Sequence, residues 1–118
     1  MDRNLTGKVY TYIDNAGRMY LPSSLLGRLG MGPFVGLSRS DQWGSYVDIY
    51  RHRSTVPAEL LHLAVAMPLE QRMVKVPDTL RTTSDIQSLC TVIGMGDHLE
   101  MWKRIEKDGS IKPVSIQL

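Results

Sequence analysis

The stretch Tyr12-Ile13-Asp14-Asn15-Ala16-Gly17-Arg18-Met19-Tyr20-Leu21-Pro22 decides how the chain begins to fold. Upstream of it, Lys8 to Ile13 (KVYTYI) is β-branched and aromatic. Val9, Thr11 and Ile13 fall on one face and Tyr10 and Tyr12 on the other, the alternation of a half-buried strand. Asp14-Asn15-Ala16-Gly17 is turn chemistry, because Asp bonds its own backbone while Asn and Gly accept positive φ. Arg18 to Leu21 resumes the strand, giving a hairpin. Pro22 then opens a short helix, Pro22 to Leu29, which Gly30 stops.

Working outward, Phe34 to Ser38 reads as a short apolar strand, Asp41-Gln42-Trp43-Gly44 as a turn, and Tyr46 to Arg51 as a half-buried strand. Leu61 to Met67 reads as a strand, and Ala58 to Met67 also fits a helix pattern. Pro68 to Gln71 is a turn, Arg72 to Val76 a strand, and Pro77 to about Thr83 a second short helix. Cys90 to Met95 and His98 to Arg104 form a last hairpin around Gly96-Asp97. The tail from Glu106 reads as extended or frayed.

The opening pattern recurs. Met19-Tyr20-Leu21-Pro22-Ser23-Ser24-Leu25 aligns with Val74-Lys75-Val76-Pro77-Asp78-Thr79-Leu80, and Val47-Asp48-Ile49-Tyr50-Arg51 aligns with Leu99-Glu100-Met101-Trp102-Lys103. Two β-hairpin–helix–hairpin units, about residues 7–52 and 61–104, are expected to interleave into one small barrel, which removes exposed sheet edges. The expectation is one mainly β domain over residues 1–118, with 105–118 as a tail. Val47, Ile49, Val92, Ile93, Leu99 and Met101 are its expected core, and Tyr50 and Trp102 should pack at matching places.

Composition bounds the rest. The 118 residues are 42% hydrophobic and 22% charged, enough for one core and against long disorder or a fibrous repeat. No run of 18 apolar residues is present, so no membrane span is expected. The start, Met1-Asp2-Arg3-Asn4, carries no signal-peptide core, which points to the cytoplasm. Cys90 has no cysteine partner. Residues 1–55 hold seven basic and four acidic residues and residues 56–118 hold seven and eight. The first half is thus modestly basic, which allows an anionic partner without demanding one.

The order and spacing of these motifs resemble the swapped-hairpin AbrB barrel family, whose pattern is a strand, D-x-x-G-R, two strand residues, I-P and a short Leu-rich helix. Two copies followed by Val92-Ile93-Gly94-Met95-Gly96-Asp97-His98-Leu99-Glu100-Met101-Trp102 are similar to its two-repeat MraZ branch. The likeness covers roughly residues 7 to 103. It implies an AbrB-like, double-psi-like barrel and a cytoplasmic, nucleoid-associated transcriptional regulator that binds double-stranded promoter repeats as a homo-oligomer. It carries a D-x-x-x-R motif onto Asp14 and Arg18. The second copy departs from it: Pro68-Leu69-Glu70-Gln71-Arg72 has no aspartate in that place. The basic pair often found on the AbrB-type helix is reduced to Gly27-Arg28, with Arg81 on the second helix.

The candidate DNA contacts are therefore Lys8, Asp14, Arg18, Arg28, Arg72, Lys75 and Arg81. Two readings of Asp14 and Arg18 stay open. One is an ion pair closing the turn; the other has Asp14 bond the turn backbone and present the Arg18 guanidinium to phosphate or a guanine edge. Lys75, between Val74 and Val76, is expected on an exposed strand face. His52, His62 and His98 show no metal-ligand spacing, so neither a metal nor a cofactor is expected. Gly44-Ser45, a dipeptide type at which some small barrels cleave themselves, is accounted for as a turn. The chain is read as no enzyme, with no small-molecule substrate. The alternative is a protein-interaction or oligomerisation module that kept the barrel and lost part of the DNA motif.

Overall fold

Strand alternation and turn residues are realised as nine strands in the computed structural model, which describes residues 7–21, 32–42, 44–86 and 88–103. The strands are β1 (Lys8–Tyr12), β2 (Arg18–Tyr20), β3 (Phe34–Asp41), β4 (Gly44–Tyr50), β5 (Val65–Met67), β6 (Leu69–Glu70), β7 (Met73–Lys75), β8 (Leu89–Gly94) and β9 (Leu99–Lys103). One α-helix is described, α1 (Asp78–Thr83), together with 3₁₀ turns at Arg53–Thr55 and Ala58–Leu63. The first expected helix, with Arg28, and the tail from Glu106 lie outside the described residues. No helix among the described residues is long and apolar enough to cross a membrane.

The strands form two antiparallel sheets, one ordered β1-β8-β9-β4-β3-β5 and the other β2-β7-β6. A bridge between Ile13 and Met19 continues β1 toward β2 and ties the sheets together. Between them lies one core: Val47, Ile49, Val92, Leu99 and Met101 from the larger sheet meet Met19, Val74, Leu21 and Val76 from the smaller. All six side chains expected in the core are at most 1% exposed, five of them here and Ile93 in a separate cluster with Tyr46 and Trp102. Burying a side chain such as Ile49 contributes about 1.5–3 kcal/mol. The fold is mainly β and barrel-like, as expected.

The pairings cross between the halves of the chain. β1 pairs with β8, β5 with β3, β4 with β9 and β2 with β7. The larger sheet reads the same in reverse when β1 is exchanged for β5, β8 for β3 and β9 for β4. At its middle, the β4–β9 seam sets Asp48 opposite Glu100. Tyr46 stacks on Trp102 with centroids 4.4 Å apart, and Tyr50 stacks on His98 at 4.7 Å. Burial, then the Asp48 charge, pushes both tyrosine hydroxyls up to about 12.

Several local expectations change. Among the described residues the opening segments form no hairpin ladder, since β1 pairs with β8 and β2 with β7 and only the Ile13–Met19 bridge pairs them with each other, and Leu69–Glu70, expected in a turn, is strand β6. Residues 58–67 are neither one strand nor one helix. Leu60, Leu61 and Ala64 pack on Val35, Leu37, Tyr50 and Val56, which a 3₁₀ turn achieves, and only Val65–Met67 joins the sheet. The strand expected from Arg72 begins at Met73. Gln71 and Arg72 form the turn, with φ of 51° and 68°. Positive φ at both central positions of a two-residue hairpin loop matches the twist of the flanking strands.

Candidate nucleic-acid interface

The first turn is built around one carboxylate. Asp14 Oδ1 accepts the backbone N–H groups of Ala16 and Arg18, each at 2.9 Å. Oδ2 accepts the Arg18 guanidinium through Nε and Nη2, both at 3.1 Å. The Arg18 amide, then the Ala16 amide and the guanidinium, hold the Asp14 carboxyl below its ordinary 3.8 against an opposing effect of burial. Gly17 closes the turn at φ 82°, a left-handed conformation that a side chain would resist. The ion pair of the first reading is formed, together with the Asp14 bonds to the turn backbone that the second reading assumes. Asp14 orders the backbone and also pairs with Arg18, whose side chain stays 40% exposed.

The β2–β7 ladder brings second-half cations to this turn. Arg18 stands directly opposite Lys75, while the neighbouring pair Met19 and Val74 points into the core at 0% exposure. Arg18 and Lys75 therefore share the outward face. Like charges directly opposite in a ladder destabilise it. Arg81, on α1, closes the cluster. A Cβ built on Gly17 would lie 3.6 Å from Arg81 Nη2 and 3.6 Å from Lys75 Cε. Asp78 pairs with Arg81 from the first turn of the same helix. The Val76 N–H donates to the Gly17 carbonyl at 2.8 Å, which fixes α1 against the turn.

Four of the seven sequence candidates, Asp14, Arg18, Lys75 and Arg81, thus gather at one place. Lys8 does not join them: it sits at the far end of β1, over the Tyr10 ring at 5.3 Å. Six residues of strand separate it from Asp14, about 20 Å. Arg72 occupies the second turn, beyond the end of the ladder where Tyr20 meets Met73. That is about 10 Å along the strand from Lys75. No carboxylate among the described residues is seen to pair with it. The second turn is the shorter one: four residues lie between the paired Leu69 and Val74 against five between the bridged Ile13 and Met19.

Sequence reading assigned no role to three exposed tyrosines: Tyr20, on the outward face of β2 with Arg18, and Tyr10 and Tyr12, on the outward face of β1. Tyr10, Tyr12 and Tyr20 are 52%, 51% and 38% exposed. The Thr11 hydroxyl donates to the Tyr20 carbonyl at 2.9 Å, so their strands adjoin. The alternation in KVYTYI already placed Tyr10 and Tyr12 away from the core. On β2 the cation Arg18 and the ring of Tyr20 share the outward side, and cations beside an aromatic ring can hold an anionic polymer by charge and by stacking.

No family model matches the chain. It is 24% identical over 123 residues to the transcriptional regulator MraZ of Treponema denticola, an alignment covering 87% of this chain and 85% of that protein. Likeness over nearly the whole of both lengths supports the MraZ-like resemblance. The relative is named as a regulator and not as an enzyme, in line with the non-enzyme reading.

Proposed function

We propose that the chain is a DNA-binding transcriptional regulator of MraZ type. It engages duplex DNA through the outward face of β2–β7 and Arg81 of α1. Arg18 and Lys75 supply the central contacts, ordered by Asp14 and flanked by Arg81. The observation that carries this reading is the gathering of Arg18, Lys75 and Arg81 around the first turn, with Lys75 directly opposite Arg18, a group of cations that suits a phosphate or a guanine edge. The likeness to a named transcriptional regulator supports it. In the same reading, residues 7–52 and 61–104 are repeats of one unit within a single domain, as the exchange symmetry of the strand order suggests. Arg72 and Lys8 contribute outlying phosphate contacts, and Arg28 a further one. The chain acts in the cytoplasm on the nucleoid, as a homo-oligomer whose copies engage successive promoter repeats. A second contact made by the same assembly becomes intramolecular and raises affinity without new chemistry.

A second reading, a protein-interaction module, is favoured by one observation: Asp14 and Asp78 already occupy part of Arg18 and Arg81. Titration of promoter and scrambled duplex at two salt concentrations separates the two. The regulator reading expects binding that weakens steeply with salt. Arg18→Ala should lose about 1–3 kcal/mol for a base contact, or about one unit of salt slope for a phosphate contact. No binding to either duplex at low salt would replace the regulator with the interaction module.

A further inference from the structure

On the outer face of the β4–β9 seam, away from the basic turn, Asp48, His98 and Glu100 converge. One ligand-type atom from each lies within 4.8 Å of the others. We propose that these three side chains form a binding site for one divalent transition-metal ion of the zinc class.

The arrangement has the features of a prepared site. Asp48 is 2% exposed, and its Oδ1 is buried with no hydrogen-bond partner. His98 Nε2 lies 3.4 Å from that oxygen but does not make the bond. Each of the three side chains is meanwhile held by another of its atoms. Arg39 Nη1 donates to Asp48 Oδ2 at 2.8 Å, and Trp102 Nε1 donates to Glu100 Oε1 at 2.9 Å. Asp97 Oδ1 lies 2.7 Å from His98 Nδ1. A carboxylate on the far ring nitrogen fixes the imidazole tautomer so that Nε2 offers its lone pair, the usual outer support of a metal-bound histidine. Stacking on Tyr50, with ring planes 14° apart, fixes the ring orientation.

Charge and distance point the same way. Asp48 and Glu100 are register partners across the seam, and carboxylates directly opposite repel. A dication between them reverses that repulsion. Zinc–ligand bonds of about 2.0–2.1 Å in a tetrahedral site put ligand atoms about 3.4 Å apart. The His98–Asp48 pair already has that separation. Glu100 is half-buried and moves in by at most about 1.4 Å, the order of a side-chain rotation. One imidazole and two carboxylates suit zinc, cobalt or manganese better than magnesium or calcium. Water would complete the coordination.

The test is a Co²⁺ titration of the untagged full chain, stripped with EDTA, at neutral pH. Visible d–d absorption should saturate at one equivalent, and Zn²⁺ should abolish it by displacement. His98→Phe keeps a ring on Tyr50 and removes the ligand; Glu100→Gln keeps an oxygen for Trp102. Each should weaken binding at least tenfold, while His52→Ala with His62→Ala leaves it unchanged. In the wild-type chain Co²⁺ should shift the NMR ring protons of His98 and not those of His52 or His62, a readout independent of whether the variants fold. Absence of a d–d spectrum at about 1 mM Co²⁺, the floor of specific affinity, would overturn the proposal. So would undiminished binding in both ligand variants, or shifts confined to His52 and His62.

Discussion

Gly36 is where β3, β5 and α1 meet, and Gly36→Ala tests that packing directly. The residue is buried and pairs with Ile49 on one side and Val65 on the other. A Cβ there would collide with Met67 Sδ and stand 3.0 Å from Leu80 Cδ1. Met67 is 0% exposed and Leu80 4%, so neither has free space to retreat into. Overpacking of this kind costs about 1–3 kcal/mol, and reduced freedom of the unfolded chain returns about 0.4–1. The net expectation is a loss of about 1–2 kcal/mol, or roughly 4–8 °C for a chain of this length. Met67→Ala alone should cost about 2–5 kcal/mol by leaving a cavity. In the double variant the new methyl occupies part of that cavity, so the combined loss should fall short of the sum by at least about 1 kcal/mol. Urea unfolding followed by far-UV circular dichroism measures all four chains. Additivity within about 0.5 kcal/mol would refute the contact between Gly36 of β3 and Met67 of β5.

Further outcomes follow from the same geometry. Ile49→Ala, at a 0% exposed position, should cost about 2–5 kcal/mol in the same assay; a loss under about 0.5 would take it out of the core. Lys75→Glu turns a repulsive pair with Arg18 into an attractive one, so stability should hold or rise by about 0.2–1 kcal/mol. Duplex affinity should fall in that variant, and unchanged affinity would remove Lys75 from the interface. Asp14, held below its ordinary 3.8 by the Arg18 amide, the Ala16 amide and the guanidinium, contributes a stability difference against Asp14→Asn. That difference is fully present above pH 3.8 and disappears as pH falls through the lowered value. A difference that grew on acidification would contradict the turn geometry.

Period-two alternation made most of this legible. Val47, Ile49, Leu99 and Met101 lie inward as their spacing required, and the Asp-Asn-Ala-Gly turn forms where its residues placed it. The second turn was less readable, because Gln71 and Arg72 adopt positive φ without the Gly or Asn that normally marks it. Residues 58–67 were ambiguous because their apolar spacing suits several local structures, and packing on Val35 and Tyr50 decided between them. Strand pairing across the seam lies beyond local pattern altogether. His98 looked isolated in sequence, and only the β4–β9 register brings it to Asp48. The same long-range pairing, β2 to β7, put Lys75 opposite Arg18.

The crossed pairings also impose an order in time. β1 has its ladder partner in β8, so Tyr12 must wait for Leu89 to be synthesised. At about 5–20 residues per second that interval is about 4–15 s. The β3–β4 hairpin can close by itself, but β1, with Tyr10 and Tyr12 exposed along it, stays an open template throughout. Such an edge pairs with any extended chain it meets, including the β8 of a neighbouring nascent copy. Aggregation and strand exchange between copies are therefore hazards of biosynthesis for this topology more than of the finished barrel.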